Sequence, residues 1–149
     1  MTIENSAPQQ NIQGNKGHGL RKAIVMDDTP VVRLVLERLL ERIGCKVVCT
    51  ANGEDTLSVY KETFENDPFD LVLMDLTIGN GLGGKETVRL LKEFDPHARA
   101  VVFSGNSLNP VFSEYGKYGF DAALNKPFTY GELTDVIDRL FGSTKQTNG

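Results

Sequence analysis

The sequence predicts an α/β fold in which parallel strands alternate with helices. Short apolar runs recur along the chain, and each is followed by a stretch with helical periodicity, which makes five β–α units. The run Leu71-Val72-Leu73-Met74 is apolar at every position, as is typical of a strand buried on both faces of a parallel sheet. A chain of 149 residues is long enough for one domain with a real core and too short for two.

Five strands are predicted from the apolar runs. They cover Lys22–Met26, Cys45–Thr50, Leu71–Asp75, Ala100–Phe103 and Ala122–Asn125. Cys45 and Cys49 lie four residues apart in the second strand, so they share one face of it. They are too far apart along an extended chain for a mutual disulfide, and we expect both to be buried, reduced thiols.

Five helices are predicted between and after these strands. They cover Pro30–Ile43, Glu54–Glu65, Lys85–Phe94, Pro110–Lys117 and a last segment that Thr129 caps and Gly142 ends. The fourth pattern is the weakest, because Gly116 and Gly119 interrupt its end. Glu132 stands three residues after Thr129 and completes a capping box. The predicted core stripe of the first helix is Val32, Val35, Leu36, Leu39, Leu40 and Ile43.

The two ends of the chain have a different composition from the middle. Residues 1–20 are rich in Asn, Gln, Gly and Ser and have almost no large apolar side chains. Such a segment cannot bury enough surface to offset its ordering entropy. Residues 143–149 are polar as well. We therefore expect one domain over residues 21–142, flanked by a disordered tail or linker on each side.

Overall charge and hydropathy limit the possible partners. The formal net charge is −4, which gives no basic field for nucleic acid or an anionic membrane surface. No apolar run approaches the roughly 18 residues of a transmembrane helix, and the polar N-terminal stretch lacks a signal-peptide core. These features predict a cytoplasmic protein that contacts neither nucleic acid nor membrane.

Polar side chains follow four of the predicted strands. Asp27 and Asp28 end the first strand, Asp75 the third, Ser104 the fourth and Lys126 the fifth. Parallel strands bring their carboxyl ends to one edge of a sheet, where ligands of open α/β folds bind. Three converging carboxylates repel one another, and Mg²⁺ resolves that repulsion. With a lysine and a hydroxyl for phosphoryl oxygens, the chemistry implied is phosphoryl transfer onto a carboxylate.

Each of these residues also has an ordinary structural explanation. Asp28 could cap the first helix, Ser104 could be a turn residue, and Lys126 could be a solvated charge. Their coincidence at four strand ends favours a shared site.

The motifs at these strand ends resemble those of the receiver domains of two-component response regulators, over roughly residues 21–142. The matching pieces are Val25-Met26-Asp27-Asp28, Leu73-Met74-Asp75, Ser104-Gly105 and Lys126-Pro127-Phe128, in the order and approximate spacing of that family. The resemblance implies a flavodoxin-like, doubly wound (βα)5 fold, with a parallel sheet of order 2-1-3-4-5 and helices on both faces.

The resemblance also implies roles at the site. Asp75 would be the phosphoacceptor, which takes a phosphoryl group from a phosphohistidine of a sensor histidine kinase or histidine phosphotransfer domain. Mg²⁺ would be bound by Asp27, Asp28, Asp75 and the backbone carbonyl of Thr77. As an isolated chain the protein would not be an enzyme, although it would assist its own phosphorylation and dephosphorylation. It would be a monomer or a weak, phosphorylation-dependent dimer.

Two further residues take roles from the same resemblance. Lys126 would contact the phosphoryl group, and its bond to Pro127 is often a cis peptide in these proteins. Ser104 would move toward the phosphoryl group as the first step of a conformational switch.

The chain departs from the family pattern at two positions. The family usually has an aromatic residue three positions before the lysine, where this chain has Ala123, so the aromatic half of the switch is missing or carried elsewhere. A proline commonly follows the phosphoacceptor by four residues, where this chain has Gly79, and this predicts a more mobile loop with looser metal binding.

The resemblance bears on the origin of the chain as well. The segments Leu76-Thr77-Ile78 and Gly83-Gly84-Lys85-Glu86 are most similar to receivers of hybrid histidine kinases, and the glycine-rich leader would suit a linker from a kinase domain. We expect no DNA-binding output after Phe141. The sequence leaves a stand-alone regulator and an excised receiver both open.

Three competing interpretations of the site remain. Gly79 to Lys85 fits the first seven places of a nucleotide P-loop, but Glu86 stands where Ser or Thr should bind Mg²⁺. An aspartyl-nucleophile phosphatase is disfavoured because Asp75-Leu76-Thr77 lacks the second acidic residue of that family. A degenerate receiver that serves only as an interaction module is disfavoured by the intact acidic and lysine residues.

One face of the first helix is a candidate docking surface. Val31 and Leu34 lie off the core stripe, with Arg38 near them. Exposed aliphatic side chains are usually incidental. In receiver domains, however, this face commonly meets the histidine-bearing helices of the kinase.

Overall fold

A five-stranded parallel sheet organises the computed structural model, which describes residues 21–142. The strands are β1 Arg21–Met26, β2 Cys45–Thr50, β3 Leu71–Asp75, β4 Ala100–Ser104 and β5 Ala122–Asn125. Their spatial order is β2-β1-β3-β4-β5, and every neighbouring pair is parallel. The predicted doubly wound fold of order 2-1-3-4-5 is confirmed. The predicted tails, 1–20 and 143–149, lie outside the described residues.

Helices cover both faces of this sheet. They are α1 Pro30–Ile43, α2 Gly53–Glu62, α3 Gly84–Phe94, α4 Pro110–Ser113 and α5 Tyr130–Phe141. The sequence explains several of their ends. Gly44 ends α1 in the left-handed conformation, and Thr129 and Glu132 form the predicted capping box of α5. No helix among the described residues is long and apolar enough to cross a membrane.

The side chains of the strands alternate between two cores. One core packs on α1 and α5; it contains Val25, Leu73, Val101, Phe103 and Leu124 with Leu36, Leu40, Leu133, Val136 and Ile137. The other packs mainly on α2 and α3; it contains Ile24, Met26, Val72, Met74 and Val102 with Tyr60, Val88 and Leu91. Because β3 and β4 are buried at every position, their ends are held firmly on both sides.

Two helix boundaries differ from the prediction. The segment predicted as one helix over Pro110–Lys117 is a four-residue α4 followed by a 3₁₀ turn at Tyr115–Tyr118. The backbone leaves the helical region at Glu114, with φ −117° and ψ 42°, and Gly119 ends the turn in the left-handed conformation. Helix α2 ends at Glu62 rather than Glu65, because the chain tightens into turn bonds to the carbonyls of Lys61 and Thr63.

Two side chains are less buried than predicted. Val35 was placed in the core stripe of α1, but it is 52% exposed, whereas Leu36 and Leu40 are buried. The stripe is therefore narrower than the apolar pattern, and Val35 belongs to the outer face with Val31. Cys45 is buried, and burial raises the pKa of its thiol to about 11. Cys49 is only partly buried, and both cysteines are free.

Candidate functional site

The strand register brings the predicted polar residues to one edge of the sheet. Met26 pairs with Met74, so the next residues, Asp27 and Asp75, come side by side. Asp75 pairs with Phe103, which places Ser104 one residue further along the edge. Ser104 in turn pairs with Asn125, and Lys126 follows. Sequence spacing alone predicted this convergence, and the register accounts for it.

Asp27 is fully buried and occupies the centre of the site. Its Oδ1 accepts a hydrogen bond of 2.8 Å from the backbone N–H of Thr29, and its Oδ2 lies 3.3 Å from Lys126 Nζ. The Arg33 guanidinium donates to the backbone carbonyl of Asp27 at 2.7 Å. These bonds fix the carboxylate in one orientation, with Oδ2 directed toward the other charged groups.

Asp75 ends β3 with its carboxylate almost buried. Its Oδ1 accepts a hydrogen bond of 3.3 Å from the N–H of Thr77, and its Oδ2 lies 3.5 Å from Lys126 Nζ. Burial, and then the neighbouring charge of Asp27, raise the pKa of Asp75 to about 6, against the opposing effect of Lys126. Near pH 7 Asp75 is therefore mostly ionised, but burial and the charge of Asp27 disfavour its ionised form.

Asp28 and Thr77 lie on the exposed side of the site. Asp28 Oδ2 accepts a hydrogen bond of 2.8 Å from the backbone N–H of Gly79. This bond ties the loop between β3 and α3 (residues 76–83, the β3–α3 loop) to the end of β1. Hydrogen bonds to charged groups are among the stronger kinds. The greater mobility that Gly79 suggests stays a prediction.

Lys126 joins the two buried carboxylates. Its ammonium lies within 3.5 Å of both Asp27 and Asp75, and 4.8 Å above the ring of Phe103. The ring face and the carboxylates together hold the ammonium over the edge of the sheet. The peptide bond from Lys126 to Pro127 is cis, as expected.

Ser104 ends β4 and is buried. Its Oγ accepts a hydrogen bond of 3.0 Å from the backbone N–H of Asn106. The hydroxyl therefore keeps its own proton available to donate to an acceptor at the site.

Ala123 occupies the position where the family pattern has an aromatic residue. It is partly buried and packs against the core on the α2–α3 side of the sheet. Phe112, Tyr115 and Tyr118 also pack against that core.

Three carboxylates form a cluster that suits a divalent ion. One oxygen each of Asp27, Asp28 and Asp75 can be chosen so that all three lie within 4.8 Å of one another. Carboxylate oxygens are hard ligands, which Mg²⁺ prefers, and a single lysine cannot neutralise three of them. Burial, and then the charge of Asp27, raise the pKa of Asp75, so a bound cation would relieve part of the cost of its charge.

Gly84 lets the start of α3 pack closely against the end of β3, next to the site. A Cβ added at Gly84, the first residue of α3, would lie 2.9 Å from the backbone oxygen of Asp75. Any larger residue would push α3 away from the end of β3, so this position needs glycine for the close approach.

The β3–α3 loop does not behave as a phosphate-binding loop. The amides of Gly79 and Leu82 donate to Asp28 and Glu54, and the amide of Gly84 to the carbonyl of Leu76. In a P-loop such amides face the phosphates. Lys85 points instead to the ring of Tyr118, 5.6 Å from its centre. The loop geometry disfavours the nucleotide-binding interpretation.

Sequence reasoning missed three residues that shape the site. Phe103 supports Lys126, Arg33 holds the backbone of Asp27, and Glu54 bonds to the β3–α3 loop. Phe103 could have been found from the sequence, because it directly precedes Ser104 in a buried strand. The other two bond to backbone groups, Arg33 to a carbonyl six residues earlier and Glu54 to an amide 28 residues later, and no residue pattern predicts such bonds.

A groove with apolar walls lies beside the site. It has a volume of about 440 Å³ and is lined by Val31, Val32, Val35, Leu36 and Leu39 of α1 and by Lys126, Pro127 and Phe128. Val31 is 62% exposed, and Leu34, on the same helix, is 46% exposed. The predicted outer face of α1 is thus exposed, and it borders the lysine of the site.

Fold and site together define a parallel α/β domain with an acidic, lysine-containing site at the carboxyl edge of its sheet. Residues 23–138 match the family described as the response regulator receiver domain. The chain belongs to this family.

Similar proteins agree with this assignment. Protein PilG of Pseudomonas aeruginosa is 30% identical over 118 residues, which are 78% of this chain and 84% of PilG. The sensor histidine kinase GacS of Pseudomonas protegens is 24% identical over 133 residues, 86% of this chain but 14% of GacS. Receivers that form part of histidine kinases are therefore among the relatives, as the sequence suggested.

Solved structures share the fold. One is the receiver domain of a sensor histidine kinase from Pseudomonas aeruginosa, which has a magnesium ion coordinated in its active site cleft. It is 24% identical with a TM-score of 0.72, and the match covers 84% of this chain and all of that one.

This chain spans between 18% and 55% of the length of three further curated relatives.

Proposed function

We propose that this chain is a phosphoacceptor receiver in a two-component phosphorelay. It takes a phosphoryl group from a phosphohistidine onto Asp75, with Mg²⁺ bound, and switches conformation in response. One observation carries the proposal: three carboxylates, an ammonium and a buried hydroxyl meet at the ends of four adjacent strands. We assign the domain to residues 21–142 and the flanking residues to tails or linkers.

The residues support a direct transfer. A carboxylate oxygen of Asp75 attacks phosphorus, a P–O bond forms and the P–N bond to the donor imidazole breaks, and the imidazole leaves with a proton from solvent. Lys126 donates to one phosphoryl oxygen, and the proton of Ser104 Oγ serves another. Since Asp75 must be ionised to attack, its pKa of about 6 still leaves the nucleophile available at pH 7.

The acidic cluster is the proposed Mg²⁺ site. Asp27, Asp28, Asp75 and the backbone carbonyl of Thr77 would hold the ion. When bound, Mg²⁺ supplies positive charge to the phosphoryl oxygens. The solved receiver with magnesium in its active site cleft supports this assignment by similarity of fold.

The partner is proposed to be a sensor histidine kinase or a histidine phosphotransfer domain. A donor helix would pack its apolar face into the groove along α1, which borders Lys126 and so brings a phosphohistidine near Asp75. The chain would then be a substrate and regulator rather than an independent enzyme. We further propose that it works in the cytoplasm, where ATP charges such kinases, as a monomer or a weak phosphorylation-dependent dimer.

Intact mass after incubation with acetyl phosphate and Mg²⁺ tests the proposal. The wild type should gain about 80 Da, one HPO₃ unit, whereas Asp75→Asn should gain nothing. Asp70→Asn is the matched control, because Asp70 directly precedes β3 at the end of the strand opposite to Asp75. This variant should gain mass like the wild type.

A mass gain in Asp75→Asn would mean that a residue other than Asp75 is the phosphoacceptor. No gain in any variant, together with no Mg²⁺ binding, would favour a degenerate receiver that acts as an interaction module.

A further inference from the structure

The far end of the β3–α3 loop is held by the first turn of α2. The backbone N–H of Leu82 donates to Glu54 Oε1 at 3.0 Å, and the backbone carbonyl of Leu82 accepts from the N–H of Gly53 at 2.9 Å. Both backbone groups of one loop residue are thus bonded to two consecutive residues of α2.

The β3–α3 loop and the start of α2 approach each other closely, and each has a glycine at the contact. Gly81 has φ +93°, and a Cβ there would lie 2.6 Å from Glu54 Oε1 and 3.0 Å from the Cβ of Asn52. A Cβ at Gly53 would lie 2.7 Å from the Cβ of Leu82. Both positions need glycine, Gly81 because of its positive φ and Gly53 because a Cβ would also collide with Thr87 Oγ1.

The near end of the same loop is held by the acidic cluster. The N–H of Thr77 donates to Asp75, and the N–H of Gly79 donates to Asp28. These two carboxylates are also proposed ligands of Mg²⁺, so their bonds to the loop amides would depend on how they hold the ion. Glu54 lies outside the cluster, and its bond to Leu82 is independent of that competition.

We propose that Glu54 is a positioning residue for the Mg²⁺ site. Its carboxylate fixes the β3–α3 loop, and the loop in turn presents the backbone carbonyl of Thr77 to the ion. The hydrogen bond from Leu82 also lowers the pKa of Glu54, which keeps the acceptor ionised. The inference rests on the proposed function, because it assumes that Thr77 contributes to a metal site.

Mg²⁺ affinity is the measurement that tests this role. The chain has no tryptophan, so the titration is followed by amide NMR shifts, with those of Gly79 and Leu82 as reporters. Glu54→Ala should weaken Mg²⁺ binding about tenfold, the lower limit of the range for residues that orient metal ligands indirectly. Glu54→Gln keeps an oxygen acceptor and should stay within about twofold of the wild type.

Asp55→Asn is the matched control for charge. Asp55 is exposed in the same turn of α2, and its carboxylate does not bond to the loop in the structure. This variant removes the same charge and should bind Mg²⁺ like the wild type. Gly81→Ala is an independent second variant, and it should weaken binding because a Cβ at this positive φ strains the loop where it contacts Glu54.

The possible outcomes separate the inference from the proposed function. If the wild type binds Mg²⁺ and Glu54→Ala binds it equally well, Glu54 has no positioning role and the site stands. If Glu54→Ala and Asp55→Asn lose affinity equally, the effect is long-range charge and the inference is overturned. If the amide shifts of the wild type do not change with Mg²⁺, the proposed metal site is wrong, and the role of Glu54 that depends on it is wrong as well.

Discussion

Asp75 is the residue whose surroundings conflict most with its charge. Its carboxylate is nearly buried, faces the buried Asp27, and has one ammonium, that of Lys126, which it must share. The pKa of about 6 expresses this conflict. An acid whose pKa is higher in the folded state than in the unfolded chain destabilises the fold once it ionises.

Stability should therefore respond to Asp75 in a pH-dependent way. With EDTA present at pH 7.5, Asp75→Asn should raise the free energy of unfolding by about 1–2 kcal/mol, after allowance for solvent screening. Between the ordinary value of 3.8 and about 6, the folded state binds more protons than the unfolded state, so the penalty grows as pH rises. The gain from the substitution should fade as the pH falls from 6 to 3.8. Urea unfolding at several pH values measures this.

Asp70→Asn is the control, because Asp70 lies outside the acidic cluster. It should show no comparable gain that depends on pH between 4 and 6, the window about which the prediction is made. A gain for Asp75→Asn that is the same at every pH would mean that the charge of Asp75 is not the cause.

At the scale of elements, helix α1 divides its apolar residues between two tasks. Leu36 and Leu40 pack in the core, while Val31, Leu34 and Val35 remain exposed, and Val31 and Val35 line the groove. The face is apolar without being needed for folding, which is typical of a surface that receives another helix.

Charge on this face should impair the donor reaction alone. Leu34→Asp and Val35→Asp should slow phosphotransfer from a cognate histidine donor about tenfold, because an aspartate would be desolvated in the interface. The rate with acetyl phosphate should not change, since that donor needs no docking. Radiolabel transfer from the donor and mass gain from acetyl phosphate give the two rates.

Val48→Asp, on the edge strand β2, controls for added charge on an exposed aliphatic residue. It should leave both rates as in the wild type. An equal loss with both donors in the α1 variants would count against docking and point to damage at the site itself.

At the scale of the whole molecule, the site is built where two separate cores meet. The core on α1 and α5 and the core on α2 and α3 lie on opposite faces of the sheet, and the acidic residues lie at its edge. A ligand that binds only the folded arrangement of these residues stabilises the entire domain.

Mg²⁺ should therefore raise the stability of the whole domain. At a concentration of one hundred times its dissociation constant, the free energy of unfolding should rise by about 2.7 kcal/mol. Asp28→Asn should reduce this gain, because Asp28 is the exposed member of the cluster and its substitution leaves the cores intact. Thermal unfolding across a Mg²⁺ series gives the result, and Ca²⁺ in place of Mg²⁺ tests selectivity. A midpoint that is independent of Mg²⁺ in the wild type would contradict the metal site.

Strands and strand-end residues could be predicted from the sequence because their signals are local. The run at β3 is apolar throughout, and Asp27, Asp75, Ser104 and Lys126 each stand where an apolar run stops. Parallel pairing then brings them together without further information.

Other features depend on contacts that the sequence does not display. Val35 matches the spacing of a core residue, yet it lines the open groove with Pro127 and Phe128, so tertiary packing decides its exposure. The end of α2 and the division of the fourth helix are set by turn bonds. The bond from Leu82 to Glu54 joins residues 28 positions apart through a backbone amide, which any residue type except proline could supply.

Lys126 gives the site an order of events. Its ammonium contacts the carboxylates of Asp27 and Asp75, which are also the proposed ligands of the ion. In the proposed scheme, Lys126 would share the neutralisation of these carboxylates with a bound Mg²⁺ and would then be available to the incoming phosphoryl group. Phosphorylation of Asp75 would then depend on the magnesium concentration, and at low magnesium the transfer would be slow even when the phosphodonor is abundant.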